Sequence, residues 1–396
     1  MSIPHPTGRD PLHFTSNPRR TVGVELELQL VDPATMALKS ACADVLARLP
    51  KENDWAKPEL MQSYLEINSS PCANVAEVRA DLLHKLRLVD AAVRDSDARL
   101  FWGGTHPFSL WMDQQISPSD RYHKLVDSLQ DTARRIVTFG MHVHVGVESG
   151  DKAIMVIDRL MRYIATFLAL SVNSPFWVGR NTGLHSQRCK IMEQLPAAGT
   201  PPVLRNYSEY CWVVNHSIDN HTINSIQEIW WDVRPHPKYG TVEVRIFDLP
   251  PNLEDALALT ALTQCLVDAL SEQIDEGVYQ HDIHPIMVRQ NKWKACRYGM
   301  RAELIDPVTH KTIPVREMVF YLYERLKPHA AKLGCLRELG HVLNMLERPS
   351  GAEKQIALHE AKGDLAEVVR TLSRENSDAL ARSAAQLAES PTKAES

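Results

Sequence analysis

Several common signatures are missing from this 396-residue chain. Its seven cysteines, Cys42, Cys72, Cys189, Cys211, Cys265, Cys296 and Cys335, are scattered, odd in number and never spaced CxxC. That argues against a disulfide framework and a zinc ribbon, and for a reducing cytoplasm. Lysine plus arginine (44) falls short of aspartate plus glutamate (49), so no basic footprint for nucleic acid exists. The N-terminus MSIPHPTGRD lacks the basic-then-apolar layout of a signal peptide. The most apolar stretch, Ala153 to Ser171, is interrupted by Asp158, Arg159 and Arg162, and reads as a buried helix rather than a membrane span. There is no GxxxxGK[ST] loop, no strand–GxGxxG–helix unit, no GxSxG elbow and no HExxH pair. No internal repeat and no domain linker interrupts the chain. At 44% hydrophobic and 23% charged, it has the profile of a water-soluble globular domain.

What is present is a repeated strand design. Thr21 to Leu30 (TVGVELELQL) alternates Val22, Val24, Leu26, Leu28 and Leu30 with Gly23, Glu25, Glu27 and Gln29. Successive side chains of a strand point to opposite faces, so one face is apolar and the other carries two carboxylates one pleat apart. Tyr64 to Asn68 (YLEIN) sets Glu66 and Asn68 opposite Leu65 and Ile67. Met141 to Val147 (MHVHVGV) sets His142 and His144 opposite four apolar residues. Thr241 to Phe247 (TVEVRIF) sets Glu243 and Arg245 opposite Val242, Val244 and Ile246. A solvated strand face ordinarily carries Lys, Thr, Ser and Gln; these four carry no lysine. Paired in one sheet, they would form a floor of four carboxylates, two imidazoles and a guanidinium, a site for metal and anion.

The rest of the chain organises this floor. Residues 1–20 read as a mobile arm and 376–396 as a disordered tail, leaving 21–375 as one domain. Periodicity predicts helices at Ala43–Leu49, Ala76–Arg99, Tyr122–Phe139, Ala153–Ser171, Tyr207–Val214, Leu253–Asp275, Val315–Leu326, Ala331–Leu346 and Ala352–Leu372. Asn173 to Pro202 is long, irregular and rich in Gly and Pro, and reads as a substrate-binding loop region. His106, before Pro107, reads as structural. Glutamates suit Mg²⁺, and a histidine among them also admits Mn²⁺ or Zn²⁺. Arg245, two residues beyond Glu243 on the same face, suits a phosphoryl group in transfer. The residues alone leave three enzymes open: an ATP-dependent ligase, a carboxylate or guanidino kinase, and a metal-dependent hydrolase. A non-catalytic protein would have no reason to keep clustered carboxylates.

The motifs VGVELELQLVD (Val22–Asp32), YLEINSSPC (Tyr64–Cys72), GGTHP (Gly103–Pro107), MHVHVGV (Met141–Val147), ALSVNSPFWVGRNTG (Ala169–Gly183) and WWDVRPHPKYGTVEVRIFDLP (Trp230–Pro250) resemble the carboxylate–amine ligases that include the type 2 glutamate–cysteine ligases. The resemblance implies an α+β, glutamine synthetase-like catalytic domain: a curved, mostly antiparallel sheet with helices on its outer face. It implies ATP with Mg²⁺ or Mn²⁺, an acyl phosphate, small amino-acid substrates, no nucleic-acid or membrane partner, and compatibility with a homodimer. Carried over residue by residue, Glu25, Glu27, Glu66, Glu243 and His142 match metal positions. Glu243 and Arg245 match catalytic ones, Arg245 steadying the phosphoryl group. Arg180, Arg234 and His144 are candidates for substrate contacts. Two departures from the family pattern stand out: Leu26 interrupts a run of acids, and Asn181 stands where an acid is common.

Overall fold

The computed structural model describes residues 12–280 and 283–389. Its centre is a seven-stranded sheet: β1 (Val22–Val31), β2 (Ala56–Pro58), β3 (Tyr64–Asn68), β4 (Arg99–Phe101), β5 (Gly140–Gly146), β6 (Val233–His236) and β7 (Thr241–Asp248). The spatial order is β6-β7-β5-β1-β3-β2, with β4 pairing the far end of β1, and every pairing is antiparallel. The expected α+β class and antiparallel sheet are therefore present.

Alternation decides which face packs. Val22, Val24, Leu26, Leu28, Leu65, Ile67, Met141, Val143, Val145, Val242 and Val244 are all buried to within 1% exposure. Helices cover this face: α1 (Val75–Asp95) lies on β1 and β4, α2 (Gly150–Leu160) on β6 and β7, and α3 (Ile164–Ser171) on β7. Behind β5 and β1 runs the 23-residue α6 (Leu253–Asp275); α4 (Gln187–Met192) and α5 (Tyr207–Asp219) precede it in the chain. Asn252 caps α6 by accepting from the Asp255 amide, as its sequence position suggests. Then follow α7 (Pro285–Tyr298), α8 (Val315–Lys332), α9 (Leu336–Leu346), α10 (Gly351–Lys362) and α11 (Leu365–Glu389). No helix among the described residues is long and apolar enough to cross a membrane.

Several expectations need correction. Tyr122–Phe139 is helical only over Asp120–Leu129 and Asp131–Arg134, broken where Gln130 takes a φ of 50°. Ala153–Ser171 is two helices, α2 and α3, broken after Leu160. Ala352–Leu372 is also two, because Gly363 takes a left-handed φ of 68° that ends α10. The segment from residue 376 is not a disordered tail where it is described. It continues α11, with Asn376 donating to the Pro251 carbonyl at 2.6 Å and Leu380 buried. Of the N-terminal arm, 1–11 lie outside the described residues. Residues 12–20 are tied down: the Thr15 amide donates to the Pro237 carbonyl at 2.9 Å and the Asn17 amide to the Val147 carbonyl at 3.0 Å. That tie closes over Gly240, whose φ is 64° and where a Cβ would stand 1.9 Å from the Thr15 oxygen. Only glycine fits the β6–β7 turn.

Candidate active site

The polar face of the sheet is laid out in rows by strand register. In one row Gly23, His144, Glu243 and Arg234 lie side by side across β1, β5, β7 and β6. In the next, Glu25 stands between His142 and Asn68. In the third, Glu27, Glu66 and Lys57 follow one another across β1, β3 and β2. A cleft of about 210 Å³ opens over these rows, lined by Glu25, Glu27, Glu66, His142, Arg234 and Arg245 among others. A larger groove of about 600 Å³ near Asn252 holds several paired charges: His341 and Arg348 on Asp255, Lys354 on Glu375.

Glu25, His144 and Glu243 each offer one ligand atom, all within 4.8 Å of one another. His144 Nδ1 lies 3.0 Å from Thr241 Oγ1. Its Nε2 is thereby turned to the carboxylates, 3.4 Å from Glu25 and 4.0 Å from Glu243, buried and with no hydrogen-bond partner. A buried nitrogen left unpartnered among carboxylates fits a cation, and two carboxylates with one imidazole suit Mg²⁺ or Mn²⁺. The histidine of the trio is His144, expected at the substrate. His142, expected at the metal, stands on the same floor. Its Nδ1 lies 2.9 Å from Glu25 Oε2 and 3.3 Å from Arg245 NH1, and its Nε2 lies 3.6 Å from Glu27. The reason is register: His144 shares a row with Glu243, and His142 lies one row away.

Charge settles around this arrangement. Burial alone would raise the Glu25 carboxyl, but the His142 and His144 imidazoles beside it hold it well below the usual range. Burial works against the Glu243 carboxylate too, and the Arg234 and Arg245 guanidiniums outweigh it. Arg234 reaches Glu243 at 2.7 and 3.2 Å, and Arg245 also pairs with Glu243. Arg234 is therefore spent on holding Glu243, and does not stand free for a substrate as expected. Arg180 is exposed on a two-residue strand and is not among the residues lining the cleft.

Sequence reasoning passed over several lining residues, Glu59, Lys57 and Arg188 among them. Glu59, after Pro58, joins Glu27 and Glu66; burial and then Glu66 push its carboxyl well above the ordinary value, the mark of crowded carboxylates. Lys57 pairs with Glu66 at 2.8 Å. Arg188, 5% exposed, comes from α4 within the irregular 173–202 region. It donates to the Arg245 and Ile246 carbonyls at 3.2 and 3.3 Å and makes no ion pair among the described residues. Neither Glu59 nor Arg188 sits in a period-2 pattern; the irregularity of 173–202 was the one pointer. His106, outside the cleft, is structural as expected: its ring bridges the Met36 carbonyl and the Ser109 amide.

A family model, "Glutamate-cysteine ligase family 2 (GCS2)", matches residues 21–376. A protein of Gloeobacter violaceus with the provisional name glutamate–cysteine ligase 2 is 40% identical over 362 residues, 91% of this chain and 97% of its own. One from Thermobifida fusca, with the same provisional name, is 39% identical over 369 residues, 92% of each chain. The crystal structure of a glutamate–cysteine ligase from Francisella tularensis, in complex with AMP, shares the fold at 12% identity. Its TM-score is 0.68, covering 97% of this chain and 96% of that one. With a family model spanning nearly the whole described domain and near-full-length relatives at about 40% identity, the chain belongs to glutamate–cysteine ligase family 2.

Proposed function

We propose that this chain is an ATP-dependent C–N ligase that joins the γ-carboxylate of glutamate to the amine of cysteine, through an acyl phosphate. The observation that carries the reading is one sheet face on which Glu25, His144 and Glu243 stand at ligand spacing with Arg245 beside them. The names of its relatives and the fold it shares with an AMP-bound ligase support it.

The residues divide the work by position. Glu25, His144 and Glu243 would hold one divalent cation, and Glu27, Glu59 and Glu66 offer a second group of oxygens. Bound there, Mg²⁺ would neutralise the ATP phosphates and draw charge onto the leaving ADP. Arg245, pinned on Glu243, presents a planar fork to the transferred phosphoryl group, and needs no reorganisation as charge develops. Arg234 keeps Glu243 ionised. Arg188 is a buried guanidinium without a carboxylate partner among the described residues, and would bind the carboxylate of the acid substrate. The carboxylate attacks the γ-phosphorus, ADP leaves, and the amine displaces phosphate from the acyl phosphate to give the amide. His142, its Nδ1 against Glu25, sits between that carboxylate and Arg245.

ADP release tests the reading. It should require ATP, Mg²⁺, glutamate and cysteine together. Release with glutamate alone would replace the ligase by a kinase. The seven free cysteines favour a reducing, cytoplasmic setting.

A further inference from the structure

Arg245 sits on a break in the sheet. On β7, Val244 pairs with Val143 of β5 and Phe247 pairs with Met141, so two residues, Arg245 and Ile246, oppose His142 alone. Such a bulge bends the strand and re-aims a side chain, and it leaves backbone groups outside the ladder. Those groups are taken up from two sides. The Arg188 guanidinium donates to the Arg245 and Ile246 carbonyls, and the Asp232 carbonyl accepts from the Arg245 amide at 2.8 Å.

Both holders lead back to one ammonium. Lys292, on α7, is 2% exposed. Its Nζ lies 2.6 Å from Asp232 Oδ2 and 2.7 Å from Glu193 Oε1. Asp232 is the residue whose carbonyl grips the bulge. Glu193 is the C-cap of α4, the helix that carries Arg188. One buried cation thus joins both clamps on the arginine's backbone. Lys190 also pairs with Glu193 at 2.6 Å, so among the described residues Lys292 is the one ammonium that touches both carboxylates of this cluster.

We infer that Lys292 is a positioning residue for Arg245: it fixes Asp232 and α4, which fix the bulge, which aims the guanidinium at the transferred phosphoryl group. The inference rests on the role of Arg245 proposed above.

The test compares the full-length protein with Lys292→Met, which keeps the length of the side chain and removes the charge, and with Lys292→Arg. If Lys292→Met does not fold, because Asp232 and Glu193 are left unpaired, the triple variant Lys292→Met/Asp232→Asn/Glu193→Gln takes its place. Two readouts are made. In crystals, the Arg245 guanidinium should shift by about 1 Å or more in the uncharged variant and stay in place in Lys292→Arg; a misplacement of that size costs about 100-fold in rate. In turnover, kcat per folded molecule should fall about 10- to 100-fold with the KM for ATP changed by less than about 3-fold. In an Arg245→Lys background the same substitution should cost less than about 3-fold, because the group being aimed is already altered. An unmoved Arg245, or an equal loss in both backgrounds, overturns the inference. The crystallographic readout needs no turnover, so it decides the role of Lys292 even if the substrate pair proposed above is wrong.

Discussion

At the residue scale, what the sequence disclosed was the chemistry of the floor, and what it hid was the division of labour. Glu25, Glu27, Glu66, Glu243, His142 and Arg245 were legible because each is a polar residue at the centre of an alternating apolar strand. Which histidine faces Glu243 depends on register between strands a hundred residues apart, and no local pattern encodes that. Arg188 was hidden for the same reason: only the fold brings α4 against the bulge of β7. Two predictions belong here. Glu243→Gln keeps the shape but turns one acceptor oxygen into a donor amide and removes the charge that binds Arg234, Arg245 and a cation; turnover should fall by about 10³-fold, measured as ADP release, with near-unchanged circular dichroism. Activity within a few-fold of wild type would remove Glu243 from the site. The second concerns His106. Burial pushes its imidazole down to about 3, below the ordinary 6.5. Between those values the unfolded chain binds a proton that the folded chain does not. Its contribution to stability is therefore complete above pH 6.5 and declines as pH falls, by up to about 1.4 kcal/mol per unit. His185 and His236, each pushed to about 4 by burial, act in the same sense. His106→Gln should flatten the loss of urea stability between pH 7 and 4.5 relative to wild type; an unchanged slope would show that His106 does not remain neutral.

At the element scale, strands were read more securely than helix ends. A period of two with a buried face admits one register of in and out, since a one-residue slip would bury Glu25 and expose Val24. Helix breaks were less visible: Gln130 and Gly363 both interrupt apolar periodicity with positive φ, and Gly363 in a run of good helix formers reads as a tolerated glycine. The bulge at Arg245 leaves no sequence mark at all. Two substitutions separate the faces of the sheet. Val244→Asp places an unpaired charge at a fully buried position and should cost several kcal/mol, seen as loss of the cooperative thermal transition. Gly140→Ala is a different case: a Cβ there would stand 2.2 Å from Arg188 NH2. The arginine tip can yield, so the fold should survive while Arg188 is displaced. Turnover should fall about 10-fold or more with little change in melting temperature; a fall in both together would mean that Gly140 serves packing alone.

At the scale of the whole molecule, the chain closes on itself through its last helix. α11 lies on β4, with Val368, Val369 and Leu372 packed against Val31, Met36 and Phe101. Ser373 donates to the Leu100 carbonyl at 2.7 Å. The polar, alanine-rich composition beyond Asn376 concealed that the helix continues there to Glu389. Deleting residues 365–396 should expose this second cluster and give an aggregating protein; a soluble, cooperatively folding truncation would show that α11 is dispensable. The central claim, however, concerns what the floor does. The most direct measurement is ADP release by the purified protein with ATP, Mg²⁺ and glutamate, with and without cysteine. ADP formed only with both amino acids present, in step with a new amide product, is the predicted result. ADP formed equally without cysteine, or none under either condition while ATP is bound, would contradict it.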